Sequence, residues 1–271
     1  MSHRSDDGRM VYLYCLTRSH EEVPFHLSVK GIGGRGDEVY SIPFLDLAMV
    51  VSDSPQDEYE TTRANTMQHQ LVCEEALKQG FTGLPVRFGT VCKPTLGKSS
   101  AEEKIERLLR RRYGEFHSLL GEMENKVELG LKVFWKKKRL FQQIVAENQN
   151  IREMRDRIAT NPSGGLSTHY GRLQIGTWVH NEIEKRRDIE ARRLARALSP
   201  LAERYETNKV LTDTMILNAA FLVHQSRVGK FDAKVNELDA RYNDSMTFRY
   251  VGPVPPFNFV ELVVHWEEDE D

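Results

Sequence analysis

Three groups of residues have the types and spacing to do chemistry. Gly31-Ile32-Gly33-Gly34-Arg35-Gly36 matches the G-x-G-x-x-G pattern of dinucleotide-binding loops. That pattern works only where a helix begins at the glycines, because the first-turn amides hold the pyrophosphate. Here residues 38–42 follow and alternate like a strand, so a flexible turn is the plainer reading. His69 and Cys73 stand four apart on one expected helix, a spacing that can put two soft metal ligands on one face. No HExxH motif and no second ligand pair accompanies them, which favours a helix histidine beside a small buried cysteine. The third group is basic: Arg110-Arg111-Arg112, Lys136-Lys137-Lys138-Arg139 and Lys185-Arg186-Arg187. All lie within or beside helices that also carry acids, and Trp135 beside Lys136–Lys138 is the hint of a stacking ring.

Nothing else in the chain resembles a catalytic signature. There is no P-loop, no G-x-S-x-G elbow and no recognisable catalytic Cys/His signature. No catalytic, cofactor-binding or metal-binding residue is therefore assigned, and the chain is read as a non-enzyme. The alternative is a nucleic-acid-binding protein or a metal-dependent enzyme of unknown substrate. Charge weighs against nucleic acid, since 38 Lys+Arg are balanced by 40 Asp+Glu for a net −2. No apolar run approaches the roughly 20 residues of a membrane-spanning helix. The three cysteines, Cys15, Cys73 and Cys92, form no CxxC pair, which fits a reducing cytoplasm.

A length of 271 residues favours two domains. The first, 1–125, reads as α+β. Residues 11–16 form a buried strand, and 38–42 and 47–51 are two strands separated by Pro43. A helix over 60–79 carries an apolar stripe of Ala64, Met67 and Leu71, widened by Val72 and Ala76. Residues 86–91 are a short strand, and one helix spans 101–124. The second domain, 126–271, opens with the clean alternation Val127, Leu129, Leu131, Val133, Trp135 of a half-buried strand. A helix follows, then a breaker at 161–165 and a long helix over 167–198 whose buried face includes Ile183, Ile189 and Leu194. Strands at 203–211 and 215–223, a helix at 228–242, a strand at 246–251 and a last strand at 257–266 complete it. Apart from the doubled first helix, this is the order of a ferredoxin-like split βαβ unit with long helices. The acidic tail 267–271 reads as solvated.

Two segments are odd for elements of a plain core. Leu84-Pro85-Val86-Arg87-Phe88-Gly89-Thr90-Val91 is a weak strand, with Pro near its start and Gly inside. Arg87 alternates opposite Val86 and Phe88, so it faces another surface, either in a salt bridge or against a partner. Gly252-Pro253-Val254-Pro255-Pro256-Phe257-Asn258-Phe259 is stiffened by three prolines and carries aromatics. It reads as a rigid connector, or else as a docking surface.

The order and spacing of these segments resemble the gas vesicle protein F/L family, the F branch more than L. The resemblance rests on four places. They are the Tyr-rich strand Val11-Tyr12-Leu13-Tyr14, a His69-bearing helix leading into L-P-x-R-F-G-T-x, the glycines Gly171 and Gly176 near a helix start, and the closing G-P-x-P-P-aromatic-x-aromatic segment. Val254 stands where the family usually has an aromatic residue. The likeness covers about 11–264.

It implies two α+β domains, the second modified ferredoxin-like, and a cytoplasmic accessory or minor structural role in gas vesicle formation. It implies no cofactor, and partners among gas vesicle proteins, first the small apolar major shell protein. Arg87, Phe88, Gly89, Pro253, Pro255, Pro256 and Phe257 are the expected partner-binding residues. Strand addition at an open sheet edge, 84–91 or 257–264, is the expected mode.

Overall fold

The computed structural model describes residues 8–19, 23–95, 97–160 and 165–266. The chain is α+β and divides into two compact units, Met1–Glu128 with Pro253–Asp271, and Leu129–Gly252.

The first unit is built on a sheet in the order β2-β3-β4-β1-β5, with β6 also pairing β1. Its strands are β1 (Met10–Arg18), β2 (His26–Lys30), β3 (Glu38–Phe44), β4 (Leu47–Ser54), β5 (Gly83–Pro85) and β6 (Val91–Cys92). β1 is central, antiparallel to β4 on one side and to β5 and β6 on the other. A strand covered on both faces must be apolar throughout. Residues 11–16 are accordingly all buried.

Helix α1 (Arg63–Lys78) packs against β1 and β2, while α2 (Ala101–Arg111) and α3 (Tyr113–Met123) also pack against β1. A reciprocal capping box between Ser100 and Glu103 starts α2. The expected single helix over 101–124 is thus two, broken at Arg112. The Arg112 guanidinium is drawn off the helix to the Val263 carbonyl (2.9 Å) while also gripping Glu115.

Three further expectations change in this unit. Pro43 does not divide two strands but sits inside β3, opposite Ala48 of β4. Pairing of β3 on its other side ends at Ser41, whose amide donates to Phe25, so no ladder bond is asked of the proline. Leu45 and Asp46 then make the hairpin tip, Leu45 with a φ of 53°. The inward face of α1 is shifted: Val72 and Ala76 of the expected stripe are buried, together with His69 and Cys73, while Met67 and Leu71 are 47% and 41% exposed. β2 was not expected at all, although Leu27 and Val29 alternate with His26, Ser28 and Lys30; at five residues the pattern is short.

The second unit carries β7 (Lys126–Trp135), α4 (Lys137–Glu147), α5 (Gln149–Thr160), α6 (Gly165–Leu198), β8 (Arg204–Thr207), β9 (Met215–His224), α7 (Val228–Tyr242) and β10 (Met246–Val254). The sheet order is β10-β7-β9-β8. Numbered within the unit this is 4-1-3-2, the ferredoxin-like arrangement, with α4, α5 and α6 where that unit has one helix; the helix expected before the 161–165 breaker is two, α4 and α5. Phe221, Phe231, Leu131, Val133, Leu198 and their neighbours form one core between sheet and helices. Ile189 is not part of it; it is 52% exposed.

The C-terminal stretch departs most from expectation. No strand forms over 257–266, where a single residue, Leu262, makes a parallel bridge to Val86. Pro253 onward counts with the first unit because its partners, Pro85, Arg87, Arg112 and Glu128, are all there. The tail 267–271 lies outside the described residues.

Candidate functional site

The two unusual segments meet. β5 ends at Pro85, which pairs with Cys15, and Val86 still donates to the Tyr14 carbonyl (2.9 Å). Residues 87–90 then leave the sheet as a tight turn, closed by Thr90 N–H and Oγ1–H both donating to the Arg87 carbonyl (3.3 and 2.7 Å). Its third position needs a positive φ, and Gly89 supplies one of 84°. The Thr90 carbonyl accepts from Leu13, and β6 resumes the ladder. The expected strand over 86–91 is therefore two short strands with a turn between them, and Gly89 is the reason.

The turn is anchored beneath. Gly89 N–H donates to Tyr12 Oη (3.0 Å), and Tyr12 Oη lies 3.0 Å from His69 Nδ1. Tyr12, Tyr14, His69 and Phe88 form a cluster of rings with centroids 4.8–6.5 Å apart. Burial holds His69 neutral, its pKa pushed down to about 4 against a weaker opposing hydrogen bond to the Val86 backbone. Burial also raises Tyr12 well above the usual phenol range.

The proline segment arrives beside this turn. Pro255 and Pro256 are buried, and residues 255–260 wind through one tight turn by bonds from Phe257, Phe259 and Val260 to the two proline carbonyls. Asn258 fastens it, its backbone N–H and Nδ2 donating to the two carboxylate oxygens of Glu128 (2.7 and 2.6 Å). Glu128 is only 5% exposed, and burial raises its carboxyl pKa above the ordinary range despite these two donors. The chain then lies along β5: Leu262 N–H donates to Pro85, and Arg87 N–H donates to Leu262 (both 2.9 Å).

Between the segments is a cleft of about 150 Å³, lined by His69, Val86, Phe88, Phe257, Val260 and Glu261, with Thr66 and Gln70 from α1. Of the expected partner residues, Arg87, Phe88 and Phe257 gather here. The exposed Arg87 guanidinium lies 4.0 Å from Glu261. Gly89 shapes the turn, and Pro255 and Pro256 are buried, their carbonyls closing the turn that carries Phe257. Pro253 stands apart, exposed near the end of β10. The expected open edges are not open, since 84–91 and 257–264 cover each other through Leu262.

Tyr12 and Asn258 entered the sequence reading only as members of motifs, with no role assigned, and Glu128 did not enter it. Only the polar tips of Tyr12 and Tyr14 in an otherwise apolar strand, and a carboxylate within the alternation of β7, hint at them.

The other sequence motifs resolve into packing. Gly31–Gly36 leads into β3, not into a helix, and a Cβ on Gly31 would sit 2.6 Å from Ser52 Oγ. Cys73 is buried with Sγ 3.4 Å from the Tyr14 carbonyl. Among the described residues no group of three or more His, Cys, Asp or Glu could hold a metal ion. Trp135 is 7% exposed, so it offers no stacking platform to the lysines beside it. No helix among the described residues is long and apolar enough to cross a membrane.

Residues 10–261, which contain both segments and both units' sheets, match the family described as gas vesicle synthesis protein GvpL/GvpF. The chain belongs to the GvpL/GvpF family. Gas vesicle protein F of Dolichospermum flosaquae is 25% identical over 253 residues, covering 93% of this chain and 98% of that protein. Gas vesicle protein F of Haloferax mediterranei is 27% identical over 244 residues, covering 89% and 90%. The crystal structure of gas vesicle protein GvpF from Anabaena sp. PCC7120 superposes with a TM-score of 0.73 at 25% identity, covering 95% of this chain and all of that one (100%). GvpL/GvpF membership ties the chain to gas vesicles and their components.

Proposed function

We propose that this chain is an accessory or minor structural protein of gas vesicle formation that binds the major shell protein and limits its aggregation during nucleation or assembly. The work is binding, with no catalytic step, and it takes place in the cytoplasm at the growing vesicle. The observation that carries the reading is the convergence of 84–91 and 252–259. Two segments more than 150 residues apart in the sequence, each leaving a regular strand for an irregular turn, build one solvent-facing cleft. Conformational constraints of this kind, a positive-φ glycine and consecutive prolines, are kept where a surface must have a fixed shape.

The mode of contact differs from strand addition at 84–91 or 257–264, because the chain already fills that edge itself. A side chain from the apolar shell protein would instead enter between Phe88 and Phe257, with Arg87 and Glu261 at the mouth. Co-expression with the shell protein tests this. A soluble complex captured through a tag on this chain is expected, and an Arg87→Ala, Phe88→Ala double variant should lose most of it. Unchanged capture by that variant would move the contact elsewhere. Absence of any complex, with the shell protein still aggregating, would overturn direct binding.

A further inference from the structure

The hydrogen bonds under the Arg87–Phe88 turn fix the protonation of one buried ring. Tyr12 Oη accepts from Gly89 N–H and has one hydrogen of its own to give. Its remaining partner is His69 Nδ1, at 3.0 Å. The full set is satisfied in one way only: Tyr12 donates to Nδ1, and the ring proton sits on Nε2. The ring's bond with the Val86 backbone fits that tautomer. His69 thus reaches the chain just before the turn directly, and the turn's glycine through Tyr12. Phe88 covers it, ring centroids 5.8 Å apart, and the ring lines the cleft.

We propose that His69 is the positioning residue of the Arg87–Phe88 turn, holding it closed only while its imidazole is neutral with Nδ1 bare. A proton on Nδ1 would aim two donors at one phenol oxygen and leave the Tyr12 hydrogen without an acceptor. It would also place a cation in an apolar pocket. Swinging the turn outward admits water through the cleft and relieves all three faults. The titratable groups facing the ring are Tyr12 and Tyr14 from β1 and Cys73 from α1. All three are kept uncharged by burial, Tyr14 with its pKa pushed up to about 12. Glu261 and Arg87 supply the charges at the cleft mouth. The inference deepens the proposed function, because it rests on this turn being the partner surface.

Amide exchange of Gly89 and Thr90 in the full chain, read by NMR between pH 7.5 and 4.5, tests it. The opening equilibrium should grow about tenfold per pH unit below 6.5, down toward the folded-state value near 4. In His69→Gln, which keeps a donor and an acceptor but cannot titrate, that growth should vanish. In Tyr12→Phe the Gly89 amide should open at least tenfold more at pH 7, with amides of β4 unchanged. A flat wild-type profile, or a Tyr12→Phe variant with wild-type Gly89 exchange, would overturn the proposal. Shell-protein capture by the same samples separates the two claims. Loss of capture in step with turn opening is the expected result. Exchange behaving as described while capture stays constant would leave the positioning of the turn intact and refute its role as the partner surface.

Discussion

The edge of the first unit and the sheet of the second solve the same problem in opposite ways. The second unit's sheet is regular, its order 4-1-3-2, its strands alternating and its core one continuous set of aliphatic and aromatic side chains. The edge at β5 is irregular. It is finished by a glycine turn, by a proline segment returning from the far end of the chain, and by buried polar groups, Glu128, His69 and Tyr12. Regular packing gives stability with few special residues. The irregular edge needs each of several residues to be what it is, and it is there that the proposed contact surface lies.

Phe231→Ala removes a fully buried ring that contacts Phe221 and Tyr250, with centroids 5.1 and 6.1 Å away. It should cost the second unit about 3–5 kcal/mol by denaturant titration, the largest effect expected here. Acid should act on the first unit. His69 falls from 6.5 to about 4 in the folded state, so the neutral form is favoured by folding. The associated stability is fully present above pH 6.5 and drains away as pH falls toward 4, by roughly 3 kcal/mol in all. Denaturant midpoints at pH 7 and pH 4.5, compared between wild type and His69→Gln, would show whether this ring carries that dependence.

Smaller changes sharpen the contrast. Gly89→Ala forces a side chain into a φ of 84° and should cost about 1–2 kcal/mol, read as a lower melting temperature. Arg87→Ala breaks a 4.0 Å pair between two side chains that are 61% and 56% exposed. Its effect on stability should stay within about 0.5 kcal/mol, so any larger loss of shell-protein capture would be a binding effect.

What could be read from the sequence follows the same division. The alternation from Val127 to Trp135 places β7 almost residue for residue, and the helix over 228–242 has the bounds of α7, because burial on one face leaves a periodic record. At the irregular edge periodicity misleads. α1 has an apolar stripe at Ala64, Met67 and Leu71, yet its buried side carries His69, since the Tyr12 hydroxyl makes a buried imidazole tolerable. The two oddly composed segments stood out as sequence, but their meeting did not. It depends on Leu262 reaching Val86 and on Asn258 finding Glu128 across 130 residues. No local pattern encodes those contacts.

On the proposed function, the shell protein is held in the cleft between Phe88 and Phe257. The most direct measurement is the amount of shell protein kept soluble by co-expressed wild type, by Phe88→Asp with Phe257→Asp, and by Leu173→Asp, which alters an exposed side chain of α6. The cleft variant should lose at least tenfold while Leu173→Asp matches wild type. Equal solubilisation by the cleft variant, with its fold intact by circular dichroism, would contradict it.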